Sequence, residues 1–285
     1  MLNPSCGRRV QRLRRQEVHV SDTPQTWHYG LVARWWAEFN VTGPEIGFFQ
    51  ALIERFGQPA LDVGCGTGRL LLPALQAGFD VDGCDISPDM LALCASRAAR
   101  EGLAPPRLYA QAMHELALPR TYHTIFICGS FGLGGNRQQD REALRRLYQH
   151  LDPGGVLALD HYQPYGNPAS WRHWVKDRRQ QLPAAWRASS PRKQAADGSL
   201  YELRSRLLAL DPLEQRWISQ IGVSQWRGEQ LVAEEEYTLQ GNLYFKNELV
   251  LLLEQAGFHD VRVHGAYTEA EATVDDDVLV LIATK

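Results

Sequence analysis

Leu61-Asp62-Val63-Gly64-Cys65-Gly66-Thr67-Gly68-Arg69 decides how this chain is read. It follows an apolar run, Pro59 to Val63, and leads into an amphipathic stretch at about 68 to 77, so it reads as a strand, a glycine turn and a helix. Glycines at 64, 66 and 68 let the backbone pass close to a ligand and adopt torsions that a side chain would forbid. The helix beyond offers free N–H groups and a partial positive end. The loops of nicotinamide dehydrogenases space their glycines G-x-G-x-x-G, whereas here the spacing is G-x-G-x-G. Asp62, just before the loop, would repel a pyrophosphate and attract a cationic ligand.

Working outward, short apolar runs alternate with amphipathic ones from residue 44 to about 160, which predicts parallel strands joined by helical crossovers. Strands are expected at Pro59 to Val63, Phe79 to Cys84, Arg107 to Tyr109, Thr124 to Cys128 and Val156 to Asp160. Helices are expected at about 68 to 77, 88 to 101 and 139 to 150. Ser87, Pro88 and Asp89 form a helix start, and Asp152-Pro153-Gly154-Gly155 reads as a stop and a turn together. Beyond Asp160 the text changes to an Arg-rich stretch with Trp171, Trp174 and Trp186. Three runs at about 199 to 210, 214 to 226 and 231 to 239 then read as antiparallel strands. A helix from Lys246 to Gln255 and two strands at about 259 to 264 and 278 to 283 resume the first pattern.

The 285 residues, 44% hydrophobic and 22% charged, suffice for one domain with an elaboration. A net charge of -3 gives no global field to hold nucleic acid, and no apolar run approaches a membrane span, so a soluble protein with a small-molecule partner is expected. Five cysteines, odd in number and mostly inside strand or helix patterns, suit reduced thiols in a cytoplasm rather than a disulfide frame or a metal site. The basic residues 1–16 read as a frayed tail, with an organellar presequence as the other reading.

The loop and its context resemble the class I S-adenosylmethionine-dependent methyltransferases over most of residues 44 to 160 and 246 to 285. The resemblance implies an α/β fold: a Rossmann-like, doubly wound, seven-stranded and mostly parallel sheet, with a small antiparallel β insertion after the fifth strand. It divides the chain into a tail and helical lid at 1–43, a donor-binding domain at 44–162 and 241–285, and an insertion at 163–240 covering the acceptor site. S-adenosyl-L-methionine is the implied cofactor, its ammonium and sulfonium suited to Asp62. Implied donor contacts are Gly64, Cys65, Gly66 and Gly68 of the loop, Asp85 on the ribose hydroxyls, and Ile86, Met90 and Cys128 around them. Tyr29 resembles an N-terminal tyrosine that folds over the donor in relatives; a packed aromatic is the other reading. The acid often found beside the adenine amino group is missing from Gln111-Ala112-Met113-His114, so Ala112 and Met113 are the expected adenine contacts. His123 stands where an acid often begins the fourth strand.

Methyl transfer from a sulfonium is an in-line displacement that needs alignment and exclusion of water more than a fixed catalytic set. Candidates for a base or a pocket wall are His161 and Tyr162, at the end of the fifth strand. His161 also reads as a structural hydrogen-bonding residue. Trp217 and Trp226 could face the acceptor or simply pack their sheet. The peptide Cys128-Gly129-Ser130-Phe131 lacks the Asn/Asp-Pro-Pro-Tyr text of base-methylating enzymes and the acids of aminopropyl transferases. The text is similar to that of small-molecule N- or O-methyltransferases, with a homodimer left open. The alternative is a non-catalytic donor-binding regulatory protein.

Overall fold

The computed structural model describes residues 28–163, 166–187 and 190–285. The basic tail, Cys6 and the Pro164-Tyr165 pair lie outside the described residues. A first helix α1 (Gly30–Phe39) and a second, α2 (Glu45–Phe56), precede the glycine loop. Then follow β1 (Ala60–Val63), α3 (Leu71–Gln76), β2 (Val81–Asp85), α4 (Pro88–Arg100), β3 (Leu108–Ala110), β4 (Tyr122–Ile127), α5 (Arg137–His150) and β5 (Leu151–Tyr162). Short helices α6 (Pro168–Trp171) and α7 (Lys176–Arg179) lead to β6 (Lys193–Gln194), β7 (Leu200–Asp211), β8 (Arg216–Arg227) and β9 (Gln230–Asn242). The chain closes with α8 (Lys246–Ala256), β10 (His259–Gly265) and β11 (Val278–Thr284).

The main sheet has seven strands in the order β10-β11-β5-β4-β1-β2-β3, and the second has four in the order β6-β7-β8-β9. Within the first, β3, β2, β1, β4 and β5 pair in parallel while β11 runs antiparallel to β5 and β10. The strand order reverses between β1 and β4, and ligands of open α/β sheets sit at the carboxyl ends beside such a point. Burial is two-sided, as a doubly wound sheet requires. Leu157 and Leu159 of β5 join α5 and α8 in one core cluster, whereas Val156 and Ala158 join α2, α3 and α4 in the other.

Some expected elements moved. Helix α2 has no counterpart in the sequence reading. The expected turn at Asp152 to Gly155 is the start of β5, because the chain end pairs with it: Gly154 donates to the Lys285 carbonyl and Lys285 to that of Gly155. Ser87 caps α4 through Met90 N–H at 3.2 Å, as its position before Pro88 predicts.

The second sheet leans on α1, whose Leu31 and Val32 pack with Tyr201, Ile221 and Val223. It is also stitched to the loop after β4. Gly134 donates to the Gln240 carbonyl at 2.9 Å and Asn242 to that of Gly132 at 2.8 Å. Among the described residues, no helix is long and apolar enough to cross a membrane.

Candidate active site

A cleft of about 360 Å³ opens at the carboxyl ends of β1, β2 and β4, at the reversal point. The glycine loop forms its floor, and each glycine has its own reason. A Cβ on Gly64 would lie 2.3 Å from Ser130 Oγ, so the loop after β4 closes tightly on it. A Cβ on Gly66, at φ +53°, would meet no atom within 4 Å and would stand in open cleft. Gly68 instead makes room behind the loop, where a Cβ would lie 2.6 Å from Cys94 Sγ and 2.7 Å from Leu72.

Two carboxylates face this floor. Asp62 is 2% exposed, and its Oδ2 has no hydrogen-bond partner among the described residues. Burial and the neighbouring Asp85 hold its carboxyl well above the ordinary range, opposed by a backbone hydrogen bond from Leu71. An orphaned buried acceptor of this kind fits a ligand carrying positive charge or N–H groups. Asp85 accepts from Gly66 N–H at 2.9 Å and Ser87 N–H at 2.8 Å, one on each oxygen. Its pKa is raised by burial, and backbone hydrogen bonds oppose the rise. A carboxylate has about four lone-pair positions, so two remain for hydroxyls. Ile86, 42% exposed beside Asp85, offers an apolar face for a flat ring, with Met113 lining the same cleft. The residues present therefore fit an S-adenosyl ligand: Asp62 for its ammonium, Asp85 for its ribose, Ile86 and Met113 for its base.

The far wall is fixed by Asp160, at the end of β5. It accepts from Gly129 N–H, from Tyr267 Oη at 2.6 Å and from Cys128 Sγ at 3.2 Å. Burial and Asp160 push the Cys128 thiol up to about 12, so it stays protonated at neutral pH. Arg69, paired with Glu45, also reaches Cys128 Sγ at 3.5 Å.

The structure brings Asp62, Gly64, Cys65, Gly66, Asp85, Ile86, Met90, Ala112, Met113 and Cys128 to one cleft, while Gly68, Tyr29, His161 and Tyr162 do not line it. Gly68 packs α3 against α4 instead. Tyr29 is the residue before α1; burial, and after it the charges of Asp85 and Asp89, raise its pKa, while the adjoining His28 lines the cleft. Strand parity separates the β5 residues. Asp160 faces Cys128, so His161 turns to the other face, where its Nε2 lies 2.6 Å from the Tyr244 carbonyl. Burial lowers its pKa. Tyr162 is 60% exposed. Of the sheet tryptophans, Trp226 has the Arg192 guanidinium 3.7 Å above its ring, and Trp217 packs on Gly241. Sequence reasoning missed Trp36 and Asn40 at the end of α1, and Gln139 and Asp140 in the first turn of α5, all lining the cleft. Trp36 read as core or lid packing rather than a contact, nothing local marked Asn40, and the second pair fell at the start of the helix expected at about 139 to 150.

Comparison with known proteins agrees with this geometry. Residues 60–155 match a family model described as a methyltransferase domain. The match supports a class I S-adenosylmethionine-dependent methyltransferase domain over those residues. A putative methyltransferase of Geobacillus sp. (strain WCH70) is 30% identical over 123 residues, 41% of this chain and 49% of that protein. A glycine/sarcosine N-methyltransferase of Parasynechococcus marenigrum is 32% identical over 153 residues, 51% of each. The chain thus spans about half the length of these curated relatives. In fold, it is similar to the sugar N-methyltransferase KedS8 from Streptoalloteichus, with TM-score 0.65 and 16% identity over 100% of this chain and 98% of that one.

Proposed function

We propose that this chain transfers a methyl group from S-adenosyl-L-methionine to a nitrogen or oxygen atom of a small-molecule acceptor by in-line displacement. The observation that carries this reading is the pairing of Asp62, buried with an orphaned Oδ2, with Asp85 across the open space at Gly66. The donor supplies an electrophilic sulfonium methyl; the rest is alignment by the protein. Asp62 and Asp85 hold the two polar ends, Asp160 fixes the Cys128–Gly129 peptide, and α1 covers the cleft with Trp36 and Asn40.

Nitrogen is favoured over oxygen on electrostatic grounds. Arg69, the guanidinium that lines the cleft, is already paired with Glu45, so it is not available to hold an oxyanion acceptor. The names of two relatives, a glycine/sarcosine and a sugar N-methyltransferase, point the same way. His161 and Tyr162 have no part in this scheme.

The test has two arms. Calorimetry with S-adenosylhomocysteine should show binding that Asp85→Ala weakens by about 1.5–3 kcal/mol, the cost of losing hydrogen bonds to a charged group. Incubation with methyl-labelled donor and an extract of small amines should yield a labelled product identifiable by mass spectrometry. Binding without any labelled product would replace this reading by a donor-binding protein that does not turn over.

A further inference from the structure

Helix α1 supplies little of its own start. The first N–H groups of any helix lack a partner within it; here Tyr29 makes no side-chain cap and the first turn holds no acid. Carboxylates from two distant elements take that place. Gly30 N–H donates to Asp89 Oδ2, in the first turn of α4, at 2.8 Å, and Leu31 N–H donates to Glu235 Oε2, on β9, at 2.7 Å. Tyr237 Oη donates to the same Glu235 oxygen at 2.8 Å and so fixes it. Both carboxylates stand at the positive end of the helix dipole. The fit is close, since Gly30 has φ +51° and a Cβ there would run into Glu235 Oε2 and Tyr237 Oη.

The same segment is tied to the donor side. The His28 carbonyl accepts from Ser87 Oγ at 2.5 Å, and Ser87 N–H donates to Asp85, the acid assigned to the ribose. His28, Trp36 and Asn40 line the cleft, while Asp89 and Glu235 do not. We propose that Asp89 and Glu235 form a clasp that holds α1 shut over the bound donor, which makes Glu235 of the inserted sheet a positioning residue for a ligand it does not touch. The proposal rests on the donor reading above. A helix of ten residues is marginal by itself, so its place over the cleft depends on what holds it from outside. The contacts of His28, Trp36 and Asn40 with the donor are made only while α1 is shut, and release requires the clasp to break.

Release of labelled S-adenosylhomocysteine from the intact protein, chased with unlabelled ligand, tests the clasp. Glu235→Ala should speed release by about tenfold, as expected for losing a hydrogen bond to a charged group. Glu235→Gln keeps an oxygen for both Leu31 and Tyr237 and should release within about threefold of the wild type. Asp89→Ala, at an exposed position on α4, should also speed release and decides the matter if Glu235→Ala does not fold. Hydrogen exchange gives the readout that a merely structural role would not move: ligand should slow exchange over residues 28–36 in the wild type and much less in Glu235→Ala. Wild-type release from folded Glu235→Ala and Asp89→Ala would overturn the clasp. So would release from Glu235→Gln as fast as from Glu235→Ala, which would locate the effect outside these hydrogen bonds. Failure of the folded wild-type protein to bind S-adenosylhomocysteine would remove the donor reading and the clasp together, whereas wild-type binding with unchanged release in the variants removes the clasp alone.

Discussion

The two sheets of this molecule are held by different means. In the seven-stranded sheet β1 is buried at all four positions, and β11 is buried over Leu279 to Ala283, because helices cover both faces. In the four-stranded sheet β7 is half-buried along most of its length. One face there packs on α1, and the other is a polar network in which Arg204 pairs with Glu236 at 2.6 Å and Arg206 reaches Gln220 at 2.8 Å. The first sheet therefore carries most of the apolar burial that stabilises the fold, while the second is positioned by a few specific contacts. Those contacts reach the cleft through the Gly132–Gly134 pairing with β9. The inserted sheet thus holds in place the loop after β4 that lines one wall of the cleft.

The largest expected effect follows from that pairing. Replacing residues 195 to 240 with a short Gly/Ser linker removes Gln240 and frees Gly134, so methyl transfer should be lost by more than about 100-fold. Donor affinity should fall as well, by about tenfold for a loosened wall. Near-native donor affinity in that variant would show that the wall holds without the insertion and would make the second sheet an acceptor lid only.

A smaller difference should separate the cores. Phe126 is fully buried and stacks on Phe49 at 5.1 Å. Phe126→Ala should cost about 3–5 kcal/mol in denaturant unfolding, and Val223→Ala in the second sheet about 1–2 kcal/mol. The second variant should still bind donor. Equal losses in both would mean that the two sheets unfold as one equally packed unit.

Legibility in the sequence follows the same division. Strands covered on both faces are continuous apolar runs, and the glycine loop has local spacing, so the main sheet and the loop at its carboxyl end were readable. The β5 end was not, because Asp160-His161-Tyr162 alternate faces and sequence alone does not say which face meets the cleft. Asp140 was hidden for another reason: an acid in the first turn of a helix is ordinary there, and only the approach of α5 to the turn after β3 makes it part of a site. A helical lid was expected before residue 44, but which of its residues reach the cleft was not legible, because Trp36 and Asn40 do so on a helix packed against the second sheet.

The smallest expected effect concerns the cost of a charge at the donor floor. Asp62 has its folded pKa raised above the unfolded value, chiefly by burial, so the folded state holds its proton more tightly than the unfolded chain does. Its contribution is favourable at a pH below the unfolded value and is lost as pH rises through the folded one, where a charge must be kept in a dry site with Oδ2 unpartnered. Asp62→Asn has no such charge. Without ligand it should be more stable than the wild type by about 1 kcal/mol at pH 8, with the gap closing as pH falls toward 4. The same variant should bind S-adenosylhomocysteine more weakly, since the ligand's ammonium loses its partner. Thermal melts across that pH range, with and without ligand, check both halves. A variant that is less stable than wild type at pH 8 would mean that Asp62 is held by interactions of its own, and the strain that donor binding relieves would have to lie elsewhere in the cleft.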